Sequence, residues 1–276
     1  MGKVIELQPI HCPKVWGYED WLASTHPDGC QKDFMAAAGD YPLIVKIIQA
    51  DSALSLQVHP DDEKARLLEG ENERGKTECW YVLEASSDAS IIYGLKNSYT
   101  EEELRLAIQN KSLEEKLNRV PVKKGDFVFI PAGTVHAICG GLRLLEVQQN
   151  CNITYRLYDW GRPRELHIEK GLKSIKNLQL KPVSAMEDTF DCSYFSLKKI
   201  SVKGGYTFLT DRQKHGDKGK WQLLFVSEGN GLIHATDTSG QKCPPLSFEK
   251  EKIFALAPGE KITIEGKCEI IRIILP

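Results

Sequence analysis

The sequence contains no long uninterrupted apolar run. Hydrophobic residues make up 41% of its 276 positions, yet no apolar run approaches the roughly 18–20 residues that a membrane-spanning helix needs. Residues 1–7 have no apolar segment typical of a secretory signal, and Glu6 already introduces a negative charge. We therefore expect a cytoplasmic protein that does not act at a membrane.

The sequence also has little net charge and no closely paired cysteines. A formal net charge of −2 gives no electrostatic basis for binding nucleic acid. The eight cysteines are scattered without CxxC spacing, which argues against a zinc ribbon or a thioredoxin-like redox motif. We expect all eight to be free thiols in a reducing compartment. A glycine-rich phosphate loop is absent as well.

One stretch stands out among the residues that are present. In residues 54–59 apolar side chains alternate with polar ones, which is the period of a β-strand with one apolar face. The polar positions are Ser55, Gln57 and His59. They form either a solvated sheet face or the wall of a cavity that could hold a metal ion and a polar ligand.

The rest of the chain is rich in short predicted strands that are bounded by glycine and proline turns. This pattern is typical of a sandwich or barrel, and it predicts a mainly β chain built as jelly rolls with a few helices. The best helical segment covers residues 99–118, where Thr100 and Glu103 form a capping box. Residues 124–133 resemble residues 250–259, which indicates an internal repeat.

These observations predict two domains. The first covers residues 1–162 and contains the helical insertion near 99–118. A charged connector covers residues 163–190, and a second β domain covers residues 191–276.

Three side chains in the first domain have the chemistry of a metal centre. Imidazole and carboxylate groups that converge in a dry pocket suit a divalent metal. His59, Glu78 and His136 each lie on a predicted strand or at a strand edge, and Gln57 adds an amide oxygen as a fourth donor. A single histidine is more often structural than metal-binding, so the prediction depends on the whole set.

The same residues fall within a set of motifs that resembles a known family. The motifs are Gln57-Val58-His59-Pro60, Gly75-Lys76-Thr77-Glu78, Pro131-Ala132-Gly133-Thr134-Val135-His136 and the segment from Glu146 to Arg156. In order and spacing they resemble the short bacterial form of the type I mannose-6-phosphate isomerases, which belong to the cupin superfamily. The resemblance covers essentially the whole chain and is strongest through residue 162.

The resemblance implies a role for each matching residue. The implied ligands of one Zn²⁺ per chain are His59, Glu78, His136 and Gln57. The implied catalytic residue is Arg156, and the implied substrate contacts are Lys76, Glu146 and Ser55. Arg162 stands where the longer enzymes have a lysine. At the repeat spacing of 126 residues His136 corresponds to Ile262, so the second cupin-type barrel is expected to hold no metal.

The resemblance also implies a reaction, namely the interconversion of D-mannose 6-phosphate and D-fructose 6-phosphate through an enediol(ate). The expected partner is therefore a small sugar phosphate, with no nucleic acid and no membrane. The expected assembly is a monomer or a weak homodimer. Two alternatives remain open at this point: an iron-dependent cupin oxygenase and a sugar-binding cupin without catalytic activity.

Overall fold

The computed structural model describes residues 4–211, 219–236 and 240–276. The strands in these residues are β1 (Val4–Glu6), β2 (Ile10–Lys14), β3 (Gly17–Ala23), β4 (Leu43–Ala50), β5 (Leu56–Val58), β6 (Glu78–Ala85), β7 (Ser90–Leu95), β8 (Leu117–Pro121), β9 (Asp126–Ile130), β10 (His136–Ile138), β11 (Leu142–Gln149), β12 (Tyr155–Tyr158), β13 (Ser184–Ala185), β14 (Thr189–Asp191), β15 (Ser196–Leu209), β16 (Gln222–Thr236), β17 (Leu246–Phe248), β18 (Ile253–Leu256) and β19 (Lys261–Ile274). The helices are α1 (Lys32–Ala38), α2 (Asp62–Glu69), α3 (Glu101–Gln109) and α4 (Ile168–Ser174), with 3₁₀ turns at Pro27–Gly29 and Leu113–Lys116. The prediction of a mainly β chain with a few helices is confirmed.

The chain divides into two compact units. The larger unit consists of Ile10–Cys30 and Tyr41–Ala185. The smaller unit consists of the described residues within Met1–Pro9, Gln31–Asp40 and Met186–Pro276. The domain boundaries that the sequence suggests stay a prediction.

Two antiparallel sheets build the larger unit. One has five strands in the order β12-β5-β10-β7-β8, and the other has seven in the order β13-β9-β6-β11-β4-β3-β2. Buried side chains from both sheets form one apolar cluster, in which Trp80 and Val82 of β6 meet Ile91 of β7 and Ile138 of β10. Each sheet is an open path with two edge strands, so the pairing within the described residues closes no barrel.

Helices cover the other face of the five-stranded sheet. Leu56 and Val58 of β5 are fully buried in a second apolar cluster that includes Leu104 of α3 and Leu172 of α4. Because side chains alternate along a strand, Gln57 lies on the opposite face. The predicted alternation in this stretch is confirmed, and the polar side is internal rather than solvated.

Helix α3 starts as the sequence predicts but ends earlier. The Thr100 hydroxyl accepts a hydrogen bond from the Glu103 backbone N–H, and the Glu103 carboxylate accepts one from the Thr100 N–H. The helix stops at Gln109, because Lys111 adopts a φ of 58° and a right-handed helix cannot continue through that conformation. The predicted span of 99–118 is therefore wrong, since β8 already begins at Leu117.

This capping box makes a testable contribution to stability. Replacing Thr100 by Ala removes the hydroxyl that accepts the Glu103 N–H, and we expect a loss of about 1 kcal/mol in the free energy of unfolding. Urea unfolding followed by circular dichroism measures it. Thr100→Ser keeps the hydroxyl and should stay near the wild type. Equal losses in both variants would show that the methyl group, rather than the cap, is responsible.

The N-terminal region contains strands although residues 1–42 include four prolines. Pro13 lies in β2, which is an edge strand paired only with β3 in its sheet. Proline lacks a backbone N–H, so an edge strand is the position where a sheet tolerates it. Pro13 is thus compatible with the observed pairing.

The smaller unit contains three long strands beside the short ones expected. Strands β15, β16 and β19 have 14, 15 and 14 residues. Gly266 pairs with Gly204 on one side and with Gly231 on the other. A Cβ at position 266 would lie 2.4 Å from the Asn230 carbonyl oxygen. Glycine therefore permits a close approach of two backbones within continuous strands.

Two further expectations concern cysteines and membranes. All eight cysteines are free, as predicted. Among the described residues, none of the helices has the length and apolar character needed to cross a bilayer.

Candidate metal centre and cavity

Strand register places three of the predicted residues in one row. Gln57 on β5 lies directly opposite His136 on β10 and opposite Arg156 on β12. Directly opposed residues project from the same face of an antiparallel sheet. The row therefore lies on the face that is not covered by helices.

A second row lies on the seven-stranded sheet. Glu146 on β11 is opposite Trp80 on β6 and opposite Lys46 on β4. The Trp80 indole N–H donates to Glu146 Oε2 over 2.9 Å, which fixes the carboxylate. Glu78 lies two residues before Trp80 and so shares its face. The ion-pair distance between His136 and Glu78 shows that the two rows meet.

The meeting point is the predicted cluster of His59, Glu78 and His136. Their candidate ligand atoms lie within 4.8 Å of one another, and all three side chains are buried. His59 Nε2 is 3.6 Å from Glu78 Oε2, and His136 Nε2 is 3.4 Å from Glu78 Oε1. The structure thus brings together the three residues that the sequence selects from distant positions.

Hydrogen bonds fix the tautomer of both imidazoles. His59 Nδ1 lies 2.9 Å from the Ile153 carbonyl oxygen, and His136 Nδ1 lies 2.9 Å from the Thr134 carbonyl oxygen. A carbonyl only accepts, so each Nδ1 carries the proton and each Nε2 presents a lone pair. Burial lowers the pKa of both rings, that of His136 to about 4, and both are neutral at pH 7.

This arrangement fits a divalent cation. Two nitrogen lone pairs and a carboxylate converge in a dry site, and His59 Nε2 finds no hydrogen-bond partner in the described part of the chain. Such a set of acceptors is costly to bury without a positive charge among them. Imidazole nitrogens whose Nδ1–H groups are held by carbonyls are typical zinc ligands. Gln57 Nε2 lies 3.3 Å from His136 Nε2, so the amide is adjacent to the cluster.

A cavity of about 290 Å³ adjoins the cluster. Its charged and polar lining residues come from both sheets and from the segments that follow β11 and β12: Lys14, Glu19, Lys46, Ser55, Gln57, Lys76, Glu146, Asn152, Thr154, Arg156 and Arg164. They include Ser55, Lys76, Glu146 and Arg156, which the sequence predicts as substrate or catalytic residues. The three clustered residues themselves do not line the cavity. Gln57 and Lys76 do line it, and they contact His136 and Glu78 respectively.

Glu146 lies between two buried lysines. Its Oε1 is 3.9 Å from Lys46 Nζ and 4.0 Å from Lys76 Nζ. Burial raises the pKa of this carboxyl, the Glu78 charge raises it further, and the two lysines oppose both effects. The net direction is upward, towards the range in which a carboxyl can exchange protons at neutral pH.

Lys76 lies between two carboxylates. Its Nζ is 3.1 Å from Glu78 Oε2, close to the predicted metal site. Burial alone would lower the pKa of this lysine, but the charges of Glu78 and Glu146 raise it above its ordinary value. Lys76 is therefore a cation at every pH at which the protein is expected to work.

Comparison with known proteins gives this site a context. The chain is 38% identical over 247 residues to the mannose-6-phosphate isomerase ManA of Bacillus subtilis, a match that covers 84% of this chain and 74% of the relative. The chain belongs to the mannose-6-phosphate isomerase family. A second Bacillus subtilis relative, the putative mannose-6-phosphate isomerase YvyI, is 32% identical over 324 residues and matches 97% of both chains.

A solved structure of the same family agrees with this assignment. The crystal structure of the mannose 6-phosphate isomerase from Bacillus subtilis superimposes with a TM-score of 0.84 at 28% identity, covering 99% of each chain. No protein-family model matches the chain. The family resemblance in the sequence motifs is thus confirmed by whole-chain similarity.

Sequence motifs of the family do not point to every charged residue in the cavity. Lys46 Nζ is 3.3 Å from Glu19 Oε2 and lies 4.3 Å from the centre of the Trp21 ring. A lysine inside the apolar run of residues 43–48 is the signal that could have identified it. Glu19, which also accepts a hydrogen bond from the Trp21 indole, and Arg164 have no comparable local pattern.

Proposed function

We propose that this protein is a metal-dependent isomerase that interconverts D-mannose 6-phosphate and D-fructose 6-phosphate through an enediol(ate). Membership of the mannose-6-phosphate isomerase family supports the proposal. The observation that carries it is the His59–Glu78–His136 cluster beside a cavity that contains five cationic and two carboxylate side chains. Such a cavity suits a polar, anionic substrate next to a metal ion.

The proposed metal is Zn²⁺, held by His59, Glu78 and His136, with Gln57 as a fourth ligand. When bound, the ion polarises the oxygens of the substrate and stabilises the negative charge that develops on them. The donor set of two imidazoles and one carboxylate supports this assignment.

The proton transfer is assigned to residues of the cavity. Isomerisation removes the C2 proton of the open-chain aldose and delivers a proton to C1. Glu146 is the proposed base, since its pKa is raised by burial and Trp80 holds it in place. Arg156 and Lys76 stabilise the enediolate charge, and Ser55 contacts a hydroxyl of the substrate.

The finer predictions about fold and context also remain proposals. We infer that the chain has two cupin-type jelly-roll domains and that only the first, residues 1–162, binds metal. The segment 163–190 connects it to the second domain, residues 191–276. The protein is proposed to act in the cytoplasm on carbohydrate phosphates, as a monomer or a weak homodimer without nucleic-acid partners.

A coupled assay combined with metal analysis tests the proposed function. We expect the purified protein to convert mannose 6-phosphate, to lose nearly all activity after dialysis against EDTA, and to recover it with Zn²⁺. Full activity without any metal would contradict the proposed centre. Bound iron with oxygen consumption would support the oxygenase alternative, and sugar-phosphate binding without turnover would support the non-catalytic one.

A further inference from the structure

A tight turn after β12 carries two arginines that share one carboxylate. Trp160 and Gly161 have φ angles of 54° and 80°, so the chain reverses and returns towards Asp159. Asp159 is 2% exposed and accepts hydrogen bonds from Arg162 and Arg164. A buried carboxylate that holds two guanidinium groups fixes both of them in place.

The two arginines differ in what else they contact. Arg162 Nη2 donates 2.7 Å to the Ala53 carbonyl oxygen, and Arg162 does not line the cavity. Arg164 does line it. Arg164 donates to Asp159 through Nε over 2.6 Å and through Nη2 over 2.7 Å. Its Nη1 donates no hydrogen bond within the described residues, so donor capacity remains for a ligand.

Positive charge in the cavity is balanced unevenly. Lys46 pairs with Glu19, and Lys76 pairs with Glu78. Arg156 forms no ion pair with any carboxylate in the described part of the chain. Burial lowers the pKa of Arg156, and the nearby positive charge of Arg164 lowers it further. The cavity therefore has surplus positive charge near its two arginines.

An anion that binds at this position would relieve that repulsion. The lysine and glutamate side chains form a nearly neutral set, which suits the hydroxyl and carbonyl groups of a sugar. A phosphate dianion matches the planar donors of a guanidinium, with which it forms short charge-assisted hydrogen bonds. The two ends of a sugar phosphate thus match the two charge environments of the cavity.

We propose that Arg164 binds the phosphate group of the substrate and that Asp159 is a positioning residue that holds Arg164 in the cavity. This assignment rests on the proposed function, because the phosphate belongs to the sugar phosphate. Arg162 on the same turn does not line the cavity. Arg162 supports the turn instead.

Steady-state kinetics of Arg164→Ala and Arg164→Lys test this proposal. We expect Arg164→Ala to raise the KM for mannose 6-phosphate about ten- to a hundredfold, the usual effect of losing a charge-assisted hydrogen bond. The kcat at saturation should change less than about threefold, because uniform binding energy affects KM rather than kcat. Arg164→Lys keeps the positive charge but lacks the paired N–H donors of the guanidinium, and it should give an intermediate KM. Arg162→Ala is the matched control, since it removes the other partner of Asp159 and should leave KM unchanged.

A binding measurement separates this inference from the proposed function. Calorimetry with inorganic phosphate on metal-stripped protein needs no turnover; we expect the Kd to rise about tenfold or more in Arg164→Ala and to stay constant in Arg162→Ala. If Arg164→Ala loses phosphate binding and the wild-type protein never isomerises the sugar, the result would support the phosphate-binding role of Arg164 and contradict the proposed isomerase function. An active enzyme whose KM and phosphate affinity survive in both Arg164 variants would overturn the assignment, as would a fall in kcat alone.

The positioning role of Asp159 has its own readout. Asp159→Asn keeps the shape but loses the charge that holds Arg164, so KM should rise while kcat stays near that of the wild type. In the double variant with Arg164→Ala the two KM effects should not add, because both act through the same guanidinium. Additive effects would mean that Asp159 acts elsewhere.

Discussion

Replacing His136 by Ala is expected to remove both the metal and the isomerase activity. His136 is fully buried, its Nδ1–H is held by the Thr134 carbonyl, and its Nε2 lone pair is directed to the cluster. Without it, one imidazole, one carboxylate and the weakly binding Gln57 amide remain, which are too few to hold a zinc ion firmly. Since a metal ion contributes several kcal/mol to stabilising the transition state, kcat/KM should fall about a thousandfold or more. Metal content per chain, measured by mass spectrometry, should fall in parallel.

His234→Ala is the matched control for this experiment. His234 Nε2 lies 3.4 Å from Glu265 Oε2, the same separation as between His136 and Glu78. No third ligand accompanies this pair among the described residues. The control should therefore keep its metal and its activity. A His136→Ala variant that retained both would show that the cluster is not the metal centre.

The three clustered residues could be predicted from the sequence because each sits in a short, distinctive pattern. His59 follows an alternating strand, Glu78 begins a strand rich in β-formers, and His136 follows a proline–glycine turn. Strand alternation determines which face a side chain takes, so local patterns are enough to place them on an internal face. The convergence of the three side chains depends on the register between their strands. The family motifs imply this register, and the pairing of Gln57 with His136 shows it.

Other residues could not be found in this way because their role depends on long-range contacts. Glu19 matters in the cavity only because β3 pairs with β4 and brings it to within 3.3 Å of Lys46. Arg164 lies in a charged segment, where nothing local distinguishes it from Arg162. Only their contacts in the fold separate the two: Arg162 donates to the Ala53 carbonyl oxygen, whereas Arg164 lines the cavity. The predicted length of helix α3 is wrong for a related reason. A single residue in the left-handed conformation, Lys111, ends the helix although the neighbouring residues favour a helix.

The cavity separates two kinds of positive charge. The lysines are compensated: each lies within 4.0 Å of at least one carboxylate. Arg164 differs from the lysines, because Asp159 occupies only its Nε and Nη2 and leaves Nη1 for a ligand. Lysines whose charge is already balanced by carboxylates suit a reaction in which negative charge develops only transiently. Lysines without such carboxylates would bind the ground state of the substrate as well. A guanidinium that is held in place but keeps a donor for the ligand suits an anion that is present throughout.

Arg156→Ala is expected to have the opposite kinetic signature to Arg164→Ala. Arg156 lies opposite Gln57 in the register, and its Nε is buried without a hydrogen-bond partner in the described chain. Arg156 Nη1 donates a hydrogen bond to the Glu165 carbonyl oxygen over 2.6 Å, and this bond orients the remaining donors towards the cavity. A donor held in advance towards developing charge acts mainly in the transition state. We therefore expect kcat to fall about a hundred- to a thousandfold while KM changes little.

Three measurements distinguish this role from a structural one. Metal content of Arg156→Ala should equal that of the wild type, since the arginine is no ligand. Added guanidinium should restore part of the activity, because it can occupy the space that the side chain leaves. Arg119→Ala removes an arginine from the same sheet, one that is paired with Glu114, and should be inert. A variant of Arg156 with unchanged kcat but a raised KM would instead assign the phosphate to Arg156, and the two arginines would then have to exchange roles.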